Sequence, residues 1–422
     1  MPTATTPLEE DFHAYASLEP RALADRWSLF RRLRDEAPAF RYADSVIVTR
    51  HADVIALLLD KDRIHSNGPS HGVPSPVLDR LSPGERTLLE DIVGWEERWL
   101  TATNGERHAE LRGLAQRVFA PRAIGEFRDR IAEVTEQMLG ALAVDEPVEF
   151  IERFAYKLPL TIISEILDIP EDMREPMHET TNGMRPARTG FAWRMNLPRD
   201  LERAHFHFME MKRQIKEVLE RRRGRETTTI MGNVLRALDE GADEDDIVVL
   251  VQLLLTAGHR TTTDLLGTGL HTLLTHRDAW DRLREEPELW PQAIEEMLRY
   301  RSPSVDVERF ATTDFELHGV EVRRGQHLAI TVGAANHDER VFEDPGAFDI
   351  DREDVKAHVA FGRGPHFCLG NALTRLEASI AFPALARRFP DVELLDPEPH
   401  WTANTHLLGL DRLDLRMGPD RG

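Results

Sequence analysis

A mainly helical domain with a smaller sheet part is the fold class this chain predicts. Apolar residues recur at three- and four-residue spacing through most of the 422 residues. Strand-like alternation is confined to two short stretches. No repeat, low-complexity linker or composition shift marks a boundary. A single domain over residues 21–422, preceded by a tail over 1–20, is therefore expected.

In chain order, the helical pattern runs over 21–36, 51–60, 107–119, 124–142, 201–223, 243–275 and 291–300, and resumes after Cys368 in LGNALTRLEASIAFPALARRF. Two stretches alternate instead. FRYADSVIVTR at 40–50 reads as one hairpin, and FELHGVEVRRGQHLAIT at 315–331 as another, punctuated by Gly319 and Gly325. The segments 64–106, with Pro69, Pro74, Pro76 and Pro83, and 182–198 read as long loops, either binding lids or plain surface.

Composition limits what the chain can do. Hydrophobic residues make up 41%, charged residues 30% and aromatics 7%, a globular profile. The formal charge of −21 argues against nucleic acid, whose phosphates require clustered Lys and Arg. A single cysteine permits no internal disulfide, so a cytoplasmic setting is expected. The opening MPTATTPLEEDFHAYASLEP lacks a basic region followed by an apolar run, so neither signal peptide nor anchor is expected. IVVLVQLLLTAG at 247–258 is shorter than the roughly 20 residues a span needs and reads as buried helix, so no membrane partner is expected.

The lone thiol sits in FGRGPHFCLG, residues 361–370. A single buried cysteine is ordinarily an inert small hydrophobe. Here Gly362, Gly364 and Gly370 let the chain curl close to a flat object, and the helix that follows places a positive terminus beside the sulfur. Without a second Cys or His at ligand spacing, structural zinc is unsuited, whereas one axial thiolate suits haem iron.

The run Phe361, Gly362, Gly364, His366, Cys368, Leu369, Gly370 resembles the haem-binding signature of the cytochrome P-450 family. Other family motifs follow in order across nearly the whole chain. EEMLR carries Glu296 and Arg299, which resemble the family's E-x-x-R pair, and Arg352 in FEDPGAFDIDRED matches the third member of that structural triad. The resemblance implies the cytochrome P-450 fold in a single haem domain, haem b as cofactor, and Cys368 as the iron ligand. It also implies His108 and Arg112 of RHAELR on one propionate, with Arg309 and His366 near the other. One departure is visible: where the family often shows Asp-x-Pro-x-His, this chain reads TATNGERH.

LLLTAGHRTTTDLLG at 253–267 resembles the family's distal helix, whose pattern A-G-x-[DE]-T-T places an acid before an alcohol. By that resemblance Ala257 adjoins the haem, Gly258 opens the helix locally, and Thr261, followed by Thr262, guides protons toward dioxygen. Arg260 stands where the acid belongs, and a guanidinium cannot hand on a proton. Three readings stay open. Arg260 forms a structural ion pair, with Asp264 or with an acid in 171–179; or it holds a carboxylate substrate, as in the peroxide-driven fatty-acid branch; or the reaction is an atypical oxidation such as ring coupling or heteroatom chemistry.

Monooxygenation of a small organic substrate, in secondary metabolism, is the implied reaction. With no flavin or ferredoxin module present, electrons come from a ferredoxin and its reductase, docked on a basic patch of Arg112, Arg117, Arg363 and Arg375; the chain is expected to be a monomer. Family position places Leu253, Leu254, Thr256, Ala257, Val305, Val307, His406 and Leu407 around the substrate. Trp95 and Trp99 either line the long loop or pack in the core. Arg185, Arg188 and Arg194 hint at a polar substrate or are solvated surface. A haem sensor or electron carrier without turnover is the competing class; a carrier needs no oxygen cleft.

Overall fold

The computed structural model describes residues 7–67, 78–116, 119–142, 144, 146–184, 201–225, 227 and 230–422. Its centre is one helix, Glu244–Thr275, buried along almost its whole length, as its near-continuous apolar sequence requires. Asp243 caps it, its carboxylate accepting from the N–H groups of Asp245 and Asp246, and three acidic residues in the first turn suit the positive helix end. Around it pack Lys157–Ile166, Leu201–Arg222, Trp290–Tyr300 and Asn371–Arg388. Small residues permit the close crossings. A Cβ on Gly258 would lie 2.9 Å from Ile163, and one on Gly269 2.8 Å from Phe382.

The largest sheet among the described residues has five strands, in the order Ala39–Tyr42, Ser45–Val48, His327–Ile330, Val307–Ala311, Ile64–His65. The expected hairpin at 40–50 forms, with Phe40 opposite Ile47. The second expected hairpin divides. Phe315–Leu317 pairs with Val320–Val322, while His327–Ile330 leaves it to lie parallel to Ser45–Val48 and antiparallel to Val307–Ala311. All four residues of His327–Ile330 are buried, so a central position is what its side chains demand.

Several expected boundaries change. The pattern over 21–36 is two helices, Pro20–Ala24 and Arg26–Glu36, broken at Asp25; that over 124–142 divides into Pro121–Gly125 and Arg128–Gly140. The segment 64–106 contains a helix, Pro83–Glu96, started by a capping box in which Ser82 and Glu85 satisfy each other's backbone N–H groups. Ser-Pro-Gly-Glu was a readable start signal. Residues 7–20, set apart as a tail, are helical over Pro7–Ala16, with Leu8, Phe12, Tyr15 and Ala16 buried against Phe30, Phe40 and Leu408. Of the described helices, none is long and apolar enough to cross a membrane.

Candidate functional site

The cysteine loop folds back on itself. Gly362 and Gly364 both have positive φ, +67° and +73°, and a Cβ on Gly364 would stand 2.6 Å from the Leu58 carbonyl oxygen, so no other residue suits that turn. The Cys368 N–H donates to the Phe361 carbonyl at 2.9 Å, closing the loop, and the Asn371 side-chain amide donates to the Cys368 carbonyl at 2.7 Å. Helix Asn371–Arg388 begins three residues after the sulfur, with Gly370 as its N-cap. Burial pushes the Cys368 thiol up, while the backbone N–H groups of Gly370 and Asn371 and the charges of Arg112 and Arg375 act to bring it down. A sulfur so surrounded by donors is built to carry negative charge once a cation faces it. No cluster of three or more metal-ligating side chains occurs among the described residues, and Cys368 is the chain's single cysteine.

Beside it stand four basic side chains facing one another. The rings of His108 and His366 have centroids 4.2 Å apart. His108 Nε2 is buried without a partner. Burial and then Arg309, His108 and Arg112 depress His366 to about 3; burial lowers Arg309 to about 10. Arg309 Nη1 donates to its neighbour's Glu308 carbonyl, and Arg112 Nη2 to the Phe367 carbonyl at 2.8 Å. None of the four forms an ion pair with a carboxylate among the described residues, an arrangement that calls for anions from outside the chain. Two propionates of a haem answer that need, so the residues present fit the group.

The sequence departure at TATNGERH has a structural account. Asn104 Oδ1 accepts the Ser66 N–H at 3.0 Å, its Nδ2 donates to Asn67 Oδ1 at 2.9 Å, and Gly105 turns the chain at φ +58° into helix Gly105–Gln116, which carries His108 and Arg112. Ser66 Oγ in turn meets His366 Nε2 at 2.8 Å. Sequence reading passed over Ser66 and Asn104; an Asn immediately before a helix start was the available signal.

On the long helix, Ala257 is exposed and Thr261, one turn on, is half-buried, although the helix around them is buried. Leu253, one turn earlier on the same face, and Leu254 keep a trace of exposure. Along this face the packing around the helix opens. Thr261 Oγ1 reaches the Ala257 carbonyl only at 3.4 Å. Thr262 does not share the face: it is fully buried, its hydroxyl 3.2 Å from that of Thr374. Behind it Glu377 is buried and its carboxyl pushed well up by that burial, the Thr262 hydroxyl pulling the other way; the sequence reading missed this residue. Gly258 packs on Ile163, giving it a helix-crossing role in place of a local opening. Thr256 bonds back to the Gln252 carbonyl at 2.9 Å.

Arg260 points elsewhere. Its guanidinium grips Asp264 at 3.0 and 3.1 Å, one turn on, and lines an outer groove of about 710 Å³ with Tyr156, Lys157, His178 and Arg412. The ion pair with Asp264, the first of the three readings, forms. His406 and Leu407 lie in the C-terminal loop; His406 Nδ1 is 2.5 Å from Asp306 Oδ1, and the Ser304–Leu407 bridge docks the loop on the segment before Val307. Val305 is fully buried in the cluster with Leu8 and Phe30, against Gly333, and is not brought to the cleft; Val307 is half-buried at the start of its strand.

Trp95 and Trp99 are core residues. Trp95 Nε1 donates to Gln252 Oε1 at 2.6 Å, and Trp99 stacks on Phe208. Glu296 and Arg299, both without exposed side-chain surface, pair at 2.7 Å through each carboxylate oxygen, and Arg352 joins Glu296 at 3.2 Å. The expected basic patch is tempered. Arg375 is bound bidentately by Glu295 at 2.6 and 2.9 Å and stacks on Phe361, and both line a hollow of about 570 Å³ with Arg363, Lys356 and Glu288. Arg117, Arg185, Arg188 and Arg194 lie outside the described residues.

Comparison with known proteins agrees with this geometry. A family model described as Cytochrome P450 matches residues 82–409. The polyketide biosynthesis cytochrome P450 PksS of Bacillus subtilis (strain 168) is 32% identical over 93% of this chain and 95% of that protein. The 6-deoxyerythronolide B hydroxylase of Saccharopolyspora erythraea is 29% identical over 93% of this chain and 96% of its own. Among solved structures, P450BioI in complex with an acyl carrier protein bearing hexadec-9Z-enoic acid superposes with a TM-score of 0.83 at 27% identity, covering 95% of this chain and 99% of that one.

Proposed function

The chain belongs to the cytochrome P450 family, a monooxygenase whose cofactor is haem b, and from that premise we propose that it oxygenates a largely apolar secondary metabolite of the polyketide or acyl type, with electrons from a ferredoxin and its reductase. Named relatives supply the substrate class: one is a polyketide biosynthesis enzyme and another a hydroxylase of 6-deoxyerythronolide B. The observations that carry the reading are one solitary sulfur, four basic groups that form no ion pair among the described residues, and one open helical face at Ala257 and Thr261. An electron carrier or sensor has no use for that open face.

Haem bound through the sulfur supplies the oxidising power to insert one atom of dioxygen into the substrate. The chain's own residues do the rest. Cys368 would hold the metal as thiolate, with the Gly370 and Asn371 N–H groups steadying its charge. His108, Arg112, Arg309 and His366 would hold the propionates. Thr261 Oγ1, weakly tied to the Ala257 carbonyl, is free to hold a water and pass a proton toward dioxygen. Arg260, committed to Asp264, carries no proton, so the path runs through Thr261 and water. Leu253, Leu254 and Leu407 exclude water from the substrate side and aim one bond at the metal.

The ferredoxin docks over the hollow beside Arg363 and Lys356, where Phe361 and Phe367 bring the cysteine loop to the surface. A cytoplasmic setting accompanies this partner. The test is spectroscopic. The reduced, carbon-monoxide-treated protein shows the thiolate-ligated band, and Cys368→Ala abolishes it; a histidine-type spectrum, or an unaltered one in the variant, overturns the assignment. Arg363→Glu slows reduction by ferredoxin without altering that band.

A further inference from the structure

Arg260 occupies the position where a proton-relaying acid was expected, and the structure assigns it different work. We propose that Arg260 is a positioning residue: with Asp264 and Gly409 it clamps the C-terminal loop 402–409 to the long helix and so sets how large a molecule the cleft admits. The inference rests on the reading above that His406 and Leu407 line that cleft.

The clamp is built from both sides. Asp264 has 1% of its side chain exposed, and each of its carboxylate oxygens receives one guanidinium nitrogen of Arg260, at 3.0 and 3.1 Å. The same Nη2 reaches across to Thr402 Oγ1 at 3.4 Å, and that hydroxyl donates to Asp411 Oδ1 at 2.9 Å. Gly409 lies directly on the pair: a Cβ there would be 2.0 Å from Asp264 Oδ1 and 3.1 Å from Arg260 Nη2. The Thr402 N–H closes the hairpin on the Gly409 carbonyl at 2.9 Å. Root and helix are therefore one unit.

The tip of the loop is fixed as firmly, and to a different element. Val305 N–H donates to the His406 carbonyl and Leu408 N–H to the Pro303 carbonyl, both at 2.8 Å, and Asp306 holds His406. A loop pinned at its tip and resting at its root on an ion pair pivots when that pair changes, and Thr261, next along the helix, moves with it. A loosely solvated surface pair has no such reach. Here a buried carboxylate depends on a bidentate partner, and lysine cannot reproduce that fork.

The test uses haem-loaded holoenzyme and two azoles that ligate the metal, followed by the shift of the main haem absorption band: imidazole, which is small, and 4-phenylimidazole, which extends into the cleft. Arg260→Lys, Asp264→Asn and Gly409→Ala are each expected to change the 4-phenylimidazole Kd about tenfold, all in one direction, with imidazole within about twofold. The Arg260→Lys/Asp264→Asn double variant is expected to be no worse than either single one. Gly409→Ala keeps both charges, so it decides the matter if a charge variant does not fold. Equal shifts for both azoles, no shift for either, or additive effects overturn the clamp. Leu407→Ala separates the two layers. If it leaves the 4-phenylimidazole Kd unchanged, the placement of the loop at the cleft fails; if it changes that Kd while the other variants do not, only the clamp fails.

Discussion

Glu296→Gln is the most informative single perturbation of the fold around the haem site. Glu296 has no exposed surface and accepts four hydrogen bonds: Arg299 Nε and Nη2 at 2.7 Å each, the Asp349 N–H at 3.0 Å and Arg352 Nε at 3.2 Å. The amide removes the carboxylate that Arg299 and Arg352 share and turns an N–H₂ toward one set of donors. Removing one partner of a buried ion pair costs about 3–5 kcal/mol. Unfolding entropy of roughly 2.1 cal/mol/K per residue gives about 0.9 kcal/mol/K for 422 residues, so the thermal midpoint of the haem-loaded protein falls by about 3–6 °C. Differential scanning calorimetry reads the midpoint, and the haem absorbance read in parallel shows release at the same lower temperature. A midpoint within about 1 °C of the parent would refute the claim that this carboxylate neutralises both arginines.

Other outcomes follow from the same geometry. Burial by itself would raise the Glu295 carboxyl, but the hydrogen bonds of Arg375 and His358 outweigh it and bring it from an ordinary 4.5 to about 2. Between those values the unfolded chain binds more protons, so the contribution of about 3 kcal/mol is complete above pH 4.5 and fades as pH falls toward 2. Urea midpoints measured from pH 5.5 to 3.5 drop less steeply in Glu295→Gln. Gly258→Val sets a branched side chain against Ile163 and lowers stability by about 1–3 kcal/mol, with partial recovery in the Ile163→Ala background; additive losses would count against direct contact. Asn104→Ala strips the Ser66 N–H of its acceptor and speeds haem transfer to apomyoglobin, while Asn67→Ala, which leaves that bond intact, has a smaller effect.

The fold class and the cysteine loop were legible because each has a local cause. Helical spacing, the glycines at 362 and 364, and a lone thiol before a helix are properties of short stretches of chain. The triad was legible for the same reason at Glu296 and Arg299, one turn apart. What eluded the sequence depends on packing between distant elements. Gly258 reads as a place where the helix opens locally until Ile163, on another helix, occupies the space where its side chain would go. Thr261 and Thr262 are chemically alike, and only the rotation of the helix decides that one faces the cleft and the other Thr374. Val305 follows the same logic. Arg260 had three readings because its partner, one turn away, competes with any acid the fold could bring near.

The Tyr15 hydroxyl donates to the Thr405 carbonyl, 390 positions further along the polypeptide. A ribosome delivers the first of these residues long before the second. The N-terminal helix can pack Phe12 and Tyr15 on Phe30 and Phe40 early, but its contacts with Leu408 and the Thr405 carbonyl wait until translation is nearly over. The closure of the N-terminal helix on the C-terminal loop is therefore a contact of high sequence separation, formed only after that loop leaves the exit tunnel.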